Sequence, residues 1–230
     1  MASQQINFMP QANKGIFMEK FSLKPEPIAI IGIGCRFPGR ANDPESFWNL
    51  LRKGSDVISE VPGDRWNSDT FYDPDPAAPG KMQIRHGGFL DQIDHFDAQF
   101  FGISPREAAA IDPQQRILME VVWEALEDGG EVPEALAGTR TGVFVGEFAL
   151  DYKLLLLSEH QRDLIGFHTT TGSYATLLSN RIAHYFDFRG PAICMDTACS
   201  SSLVAAHLAC RSIWNGECDL ALVGGVIGQL

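Results

Sequence analysis

The run Asp196-Thr197-Ala198-Cys199-Ser200-Ser201-Ser202-Leu203 constrains this chain more than any other stretch of it. It follows a short apolar segment, residues 191–195, that reads as a buried strand. It opens an almost wholly apolar segment of helical length, residues 203–214. A strand that turns directly into a helix brings the residue at the turn against the helix's unpaired N–H groups and the positive end of its dipole. Here that residue is Cys199. Such N–H groups stabilise a thiolate, and they suit the oxyanion of a thioester under attack. The small neighbours Ala198 and Ser200 permit a tight turn and leave the sulfur approachable. Position alone leaves two readings of Cys199 open. It is a nucleophile or a buried structural cysteine, since free cysteine is among the most buried residue types.

The rest of the chain alternates strand and helix patterns. Residues 28–35 are continuously apolar, as in a strand covered on both faces. Asp43 caps a helix with Pro44 at its first position. Residues 54–100 are dense in turn residues and form a long excursion. Ser104-Pro105-Arg106-Glu107 spells a capping box in which Glu107 reaches back to the cap. Asp112-Pro113-Gln114-Gln115 repeats the arrangement and starts the longest helix. Its apolar stripe is Ile117, Leu118, Val121, Val122 and Ala125, and Gly129-Gly130 ends it. Residues 141–146 and 218–223 read as strands, and 151–158 and 174–186 as helices. This order predicts an α/β unit with a mainly parallel sheet layered with helices. Residues 1–25 are polar and irregular and read as a leader or linker, with Phe17 and Phe21 packing locally at most. Residues 26–230 form the folded unit.

Apolar residues make up 45% of the 230 and charged residues 20%, a globular balance. The net charge of −11 comes without any basic run, which argues against a nucleic-acid partner. No apolar run is long enough to span a membrane, and the first residues lack a secretory pattern, so a cytoplasmic location is expected. The five cysteines are odd in number and include no C-x-x-C pair. That pattern predicts reduced thiols, with neither a disulfide framework nor a zinc site. Gly32 and Gly34 lack the third glycine and the acidic residue of a dinucleotide fingerprint.

Asp196-Thr197-Ala198-Cys199-Ser200-Ser201-Ser202-Leu203 resembles the active-site motif of the β-ketoacyl synthase (ketosynthase) domains of modular type I polyketide synthases. Other stretches resemble the same family in the same order. They are Glu26-Pro27-Ile28-Ala29-Ile30-Ile31-Gly32-Ile33-Gly34-Cys35-Arg36-Phe37-Pro38-Gly39, Phe101-Gly102-Ile103-Ser104-Pro105-Arg106-Glu107-Ala108 with Asp112-Pro113-Gln114-Gln115-Arg116, Thr141-Gly142-Val143-Phe144-Val145-Gly146, and Leu222-Val223-Gly224-Gly225. The resemblance implies a thiolase-like fold, of which residues 26–230 correspond to the N-terminal half. It implies Cys199 as the catalytic nucleophile, which accepts an acyl chain for decarboxylative Claisen condensation with a malonyl-type extender. It implies no cofactor or metal, because substrates arrive as phosphopantetheine thioesters. The implied partners are an acyl carrier protein, a second copy pairing antiparallel through residues 191–195, and a C-terminal half supplied in cis or in trans. That half carries the family's two catalytic histidines and lysine. None of His86, His95, His160, His168, His184 and His207 lies in a segment resembling those of the family's catalytic histidines. The alternative reading is a condensation-inactive module that binds acyl thioesters or dimerises.

The segment 203–209 is apolar nearly all round, as in a helix buried on every side. One sheet covers one side of it, so without the second half it is expected to expose an apolar patch. Cys194, Cys210 and Cys218 read as core residues, His207 as a hydrogen-bonded core histidine and His184 as a packing residue. Asp151-Tyr152 and Thr171-Gly172 fall near positions that line the family's channel, and equally suit turn and cap roles. Lys81, Arg85 and His86 form the one small basic cluster in the long excursion, a solvated loop or a contact for an acidic carrier protein.

Overall fold

A computed structural model describes residues 26–228, so the expectations for residues 1–25, Phe17 and Phe21 included, lie outside the described residues. In chain order the elements begin with α1 (Pro44–Lys53), β1 (Ser59–Glu60), α2 (Ser68–Phe71) and β2 (His86–Gly87). Then come α3 (Pro105–Ala108), α4 (Pro113–Asp128), α5 (Pro133–Leu136), β3 (Thr141–Glu147) and α6 (Asp151–Leu156). After a 3-10 turn over Glu159–Leu164 follow α7 (Thr169–Ser173), α8 (Thr176–Tyr185), β4 (Ala192–Met195), α9 (Ser201–Trp214) and β5 (Leu220–Val226).

The core is a parallel sheet in the order β4-β3-β5. All seven residues of β3 are buried, as suits a central strand with helices on both faces. Val143 and Val145 face α4 and α8 and pack with Leu118, Met119, Val122, Leu178 and Ile182. Phe144 points the other way, to Ala205 and Ala209 of α9 and to Cys218. The chain thus forms three layers, α4/α8, sheet and α9.

Helix starts follow the expected chemistry. The Asp43 carboxylate accepts the Ser46 N–H at 2.8 Å, and the Ser46 hydroxyl accepts the Asp43 N–H at 3.2 Å, a reciprocal cap for α1. Asp112 caps α4 through the Gln114 N–H at 2.8 Å. Ser104 caps α3 through the Glu107 N–H, but Glu107 does not reach back. Its carboxylate meets Arg181 at 2.8 Å instead, because an ion pair across the helix layer outcompetes a solvent-facing cap. The buried stripe of α4 is Leu118, Met119, Val122 and Leu126, rotated from the expected one because Val121 and Ala125 carry a different neighbour.

That neighbour is the segment 28–35, and it corrects an expectation: it joins no sheet. It runs along α4, and Ile30 is 84% exposed. A Cβ on Gly32 would stand 2.7 Å from the Gly129 nitrogen, and one on Gly34 would overlap the Val121 carbonyl. The two glycines therefore let backbone lie on backbone. The Ile33 N–H goes to the Asp128 carboxylate at 2.8 Å rather than to a strand.

Helix α9 buries only Ser201, Ala205, Ala209 and Ser212. Leu203 is 75% exposed, and Leu208 and Trp214 are also exposed, so the expected apolar patch is present. His207 lies on this outer face and is exposed, which corrects its reading as a core residue: the inner face of α9 has room only for small side chains. His184 is exposed as well. Cys218 and Cys35 are buried, and Cys194 and Cys210 are half-buried. Arg85 is not part of a free basic patch. It pairs with Asp69 at 2.6 Å and lies over the Tyr72 ring, while Lys81 donates to the Thr70 carbonyl.

Candidate functional site at the carboxyl ends of the strands

In open parallel sheets, ligands bind outside the carboxyl ends of the strands. Cys199 stands there, after β4 and before α9, and it is the exposed one of the five cysteines. Ala198 just before it has φ +55°, a left-handed conformation that costs a residue with a Cβ about 1–2 kcal/mol. The turn is braced from both sides. The Asp196 carboxylate accepts the Ala198 N–H at 2.8 Å. The Ser201 hydroxyl accepts the Thr197 N–H at 2.8 Å and donates to the Ala198 carbonyl at 2.7 Å. The Ser200 hydroxyl donates to the Thr197 carbonyl at 2.8 Å. These bonds hold the strained peptide in place and leave the thiol outside the network.

Two glycines place this turn on the sheet. Gly146 of β3 and Gly225 of β5 are register partners. A Cβ on Gly146 would lie 2.5 Å from the Ser201 carbonyl carbon, and one on Gly225 would lie 2.8 Å from the Ser202 Cβ. The first turn of α9 therefore rests directly on the strands. Any larger side chain there would lift the helix and move Cys199.

Beside the turn lies a cluster of carboxyls. Gly146 and Met195 are register partners, so the next residues, Glu147 and Asp196, extend side by side from adjacent parallel strands. Glu147 is 4% exposed. Burial first, and then the charges of Asp196 and Asp112, push its carboxyl up to about 7, with Lys153 opposing them. Burial also raises Asp112, against the hydrogen bonds it accepts from Gln114. Burial and the Glu147 charge push the Cys194 thiol up to about 11, which suits a structural rather than a reactive cysteine.

Buried amides tie the surrounding loops together. Gln114 donates to the Ala149 carbonyl at 3.0 Å and accepts the Gly228 N–H at 3.0 Å, joining the loops after β3 and β5. Gln115 donates to the Gly172 carbonyl at 3.0 Å, which also accepts the Asp112 N–H. Thr171 and Gly172 thus serve structure: the Thr171 carbonyl accepts from Arg181, and a Cβ on Gly172 would overlap the Ala110 carbonyl. Tyr152 donates to the Ala109 carbonyl at 2.9 Å, and Asp151 opens α6. Of the histidines, His168 sits 4.0 Å from Glu107 and His95 sits 4.0 Å from Asp94, while His86, His160, His184 and His207 are exposed. Among the described residues no three metal-ligating side chains gather into a possible metal site, and no helix is long and apolar enough to cross a membrane.

Sequence reasoning singled out Cys199 but passed over Glu147, Ser201 and the roles of Gln114 and Gln115. A detectable signal existed for Glu147, a lone charge ending an otherwise apolar strand. Ser201 looked like one of three equivalent serines.

Comparison with known proteins places the chain. Residues 25–229 match the family of the β-ketoacyl synthase N-terminal domain, and the chain belongs to that family. It is 55% identical over 201 residues to a phenolphthiocerol/phthiocerol polyketide synthase protein of Mycobacterium bovis, covering 87% of this chain and 11% of that one. It is 52% identical over 201 residues to a phenolphthiocerol/phthiocerol polyketide synthase protein of Mycobacterium tuberculosis, covering 87% and 13%. Its fold is similar to an oxazolomycin ketosynthase domain of Streptomyces albus, with a TM-score of 0.80 and 46% identity over 87% of this chain and 34% of that one. It is also similar to the ketosynthase of module 6 of the bacillaene synthase of Bacillus subtilis, with a TM-score of 0.75 and 37% identity over 88% and 32%. The chain thus spans about a tenth of the polyketide synthase proteins and about a third of the ketosynthase structures. Its three-layered α/β architecture is part of the thiolase-like fold of ketosynthases.

Proposed function

We propose that Cys199 is the acyl-accepting nucleophile of a polyketide ketosynthase, and that residues 26–230 are the N-terminal half of its ketosynthase domain, after a leader or linker over 1–25. The observation that carries this reading is the braced left-handed turn at Ala198, which presents an exposed thiol at the start of a long helix. The thiolate attacks the carbonyl of an acyl thioester, and backbone N–H groups at the helix start receive the negative charge of the tetrahedral intermediate. Collapse of that intermediate forms the Cys199–acyl bond and breaks the bond to the phosphopantetheine sulfur. The leaving thiolate takes up the proton that Cys199 gave away. The acyl chain is then poised for attack by the enolate of a decarboxylated malonyl-type thioester. No cofactor is needed for acylation, and the partners are an acyl carrier protein in the cytoplasm, a second copy, and the segment that carries the family's histidines.

The test is incubation with an acyl-pantetheine thioester, followed by intact mass and peptide mapping. A single acyl adduct on Cys199, lost in Cys199→Ser, is expected. Acylation of Cys35 or Cys218 instead, or of nothing, overturns the reading. With a malonyl thioester added, the 230-residue chain by itself is expected to form no β-ketoacyl product, since none of its six histidines matches the family's catalytic segments. Turnover abolished by Cys199→Ala would show that the chain carries the whole reaction.

The second reading, a binding or dimerisation module, draws on two observations. Strand β4 pairs only with β3 among the described strands and so offers an open edge, and the outer face of α9 is apolar and uncovered. Acyl-thioester binding without covalent transfer to Cys199 is the result that favours it.

A further inference from the structure

We propose that Glu147 is a positioning residue whose proton governs the turn that presents Cys199. With the proton on, Glu147 is neutral beside the Asp196 carboxylate that holds the Ala198 N–H; with it off, Glu147 repels that carboxylate and the hold weakens. The proposal rests on the reading of Cys199 as the nucleophile for its consequence, but the coupling itself rests on geometry.

Glu147 and Asp196 directly follow the Gly146–Met195 register pair, so they stand at the same level along neighbouring chain segments. Glu147 is buried, and its carboxyl has an elevated affinity for a proton, near 7. Asp196 is exposed and is the acceptor for Ala198. The backbone of Glu147 also meets the turn, since the Ser201 hydroxyl lies 3.4 Å from its carbonyl while bonding Thr197 and Ala198. A change at Glu147 therefore reaches the strained peptide by two routes, charge and backbone.

The other groups around Glu147 define what it feels. From β4 comes Cys194, from the residue just past it Asp196, and from the start of α4 Asp112, itself buried beside Gln114. From α6 comes Lys153, the one cation among the described residues that acts on it, whose ammonium lies over the Tyr174 ring at 4.0 Å. Helix α8 carries Arg181, committed to Glu107 and Gln115, and the exposed His184. From β5 and α9 the neighbours Gly225, Val226 and Ser201 are uncharged. Burial and two carboxylates, against one lysine, favour the protonated form of Glu147.

The experiment follows the Ala198 amide by hydrogen exchange between about pH 6 and pH 8, corrected for the intrinsic pH dependence of exchange, in the natural chain and in Glu147→Gln. The natural chain is expected to lose protection about tenfold across that range, as for one weakened hydrogen bond. Glu147→Gln keeps its protection throughout. In parallel, acylation from an acyl-pantetheine thioester is expected to be about three- to tenfold faster in Glu147→Gln than in the natural chain at the alkaline end, and equal at the acid end. Matching exchange profiles in the two proteins overturn the proposal. Should no Cys199 adduct form in either protein, the nucleophile reading fails while the exchange arm still decides the coupling. If Glu147→Gln does not fold, NMR of the natural chain decides it. The Ala198 amide and the Glu147 carboxyl must then titrate with one midpoint, and separate midpoints overturn the proposal.

Discussion

On one face of the β4-β3-β5 sheet, α4 and α8 bury Leu118, Met119, Val122, Leu178 and Ile182 against Val143 and Val145. On the other, α9 buries only the small residues Ser201, Ala205, Ala209 and Ser212, with Ala205 and Ala209 against Phe144 and Cys218. The large apolar residues of α9, Leu203 among them, point away from the sheet. The difference teaches that burial and positioning are separate tasks here. The α4/α8 face supplies the stability. The α9 face uses alanine, serine and strand glycines so that the helix start lies close enough to the sheet to aim Cys199.

The largest effect should come from the well-packed face. Ile182→Ala removes a side chain that is 1% exposed and is expected to cost about 2–5 kcal/mol in denaturant unfolding. Leu203→Ala should cost under about 0.5 kcal/mol. Equal costs would break the comparison and show that the outer face of α9 is covered in solution.

A second effect lies at the junction of the two faces. The native Glu147 carboxyl binds its proton more tightly than an unfolded one, so its stabilising contribution is complete below about pH 4. It is lost as pH rises towards 7. Glu147→Gln should therefore be more stable than the natural chain at about pH 8, by up to about 3 kcal/mol, with the gap closing on acidification. Thermal melts across pH measure this, and a gap independent of pH would remove the proton from the account.

The smallest expected change in stability is the most telling about the exposed face. Leu203→Ser should alter unfolding by under about 0.5 kcal/mol yet reduce self-association and dye binding by exposed apolar surface. Light scattering coupled to size exclusion reads it. A natural chain that is already a sharp monomer with low dye binding would show that the α9 face needs no cover.

The legible parts of the sequence were those governed by local rules. Asp43, Ser104 and Asp112 mark helix starts because a short acceptor satisfies N–H groups two or three residues on, whatever surrounds it. Strand β3 showed in its apolar run and α9 in its length. The segment 28–35 misled because a continuous apolar run suits a strand covered on both faces without naming its partner; its glycines met a helix rather than a strand, and Ile30 stayed exposed. Glu107 misled because a distant Arg181 outweighed a local cap.

The stretch of residues 196–203 by itself determined that a small-residue turn would join strand to helix with a cysteine at its tip. The sequence also determined the family, through motifs whose order along the chain is a property of sequence alone. Tertiary structure alone decided that Gly146 and Gly225 lie side by side beneath that turn, and that Glu147 stands next to Asp196. Both follow from the register of three parallel strands far apart in sequence. Register depends on which strand faces are buried against the helices, a matching of distant segments that no single stretch encodes.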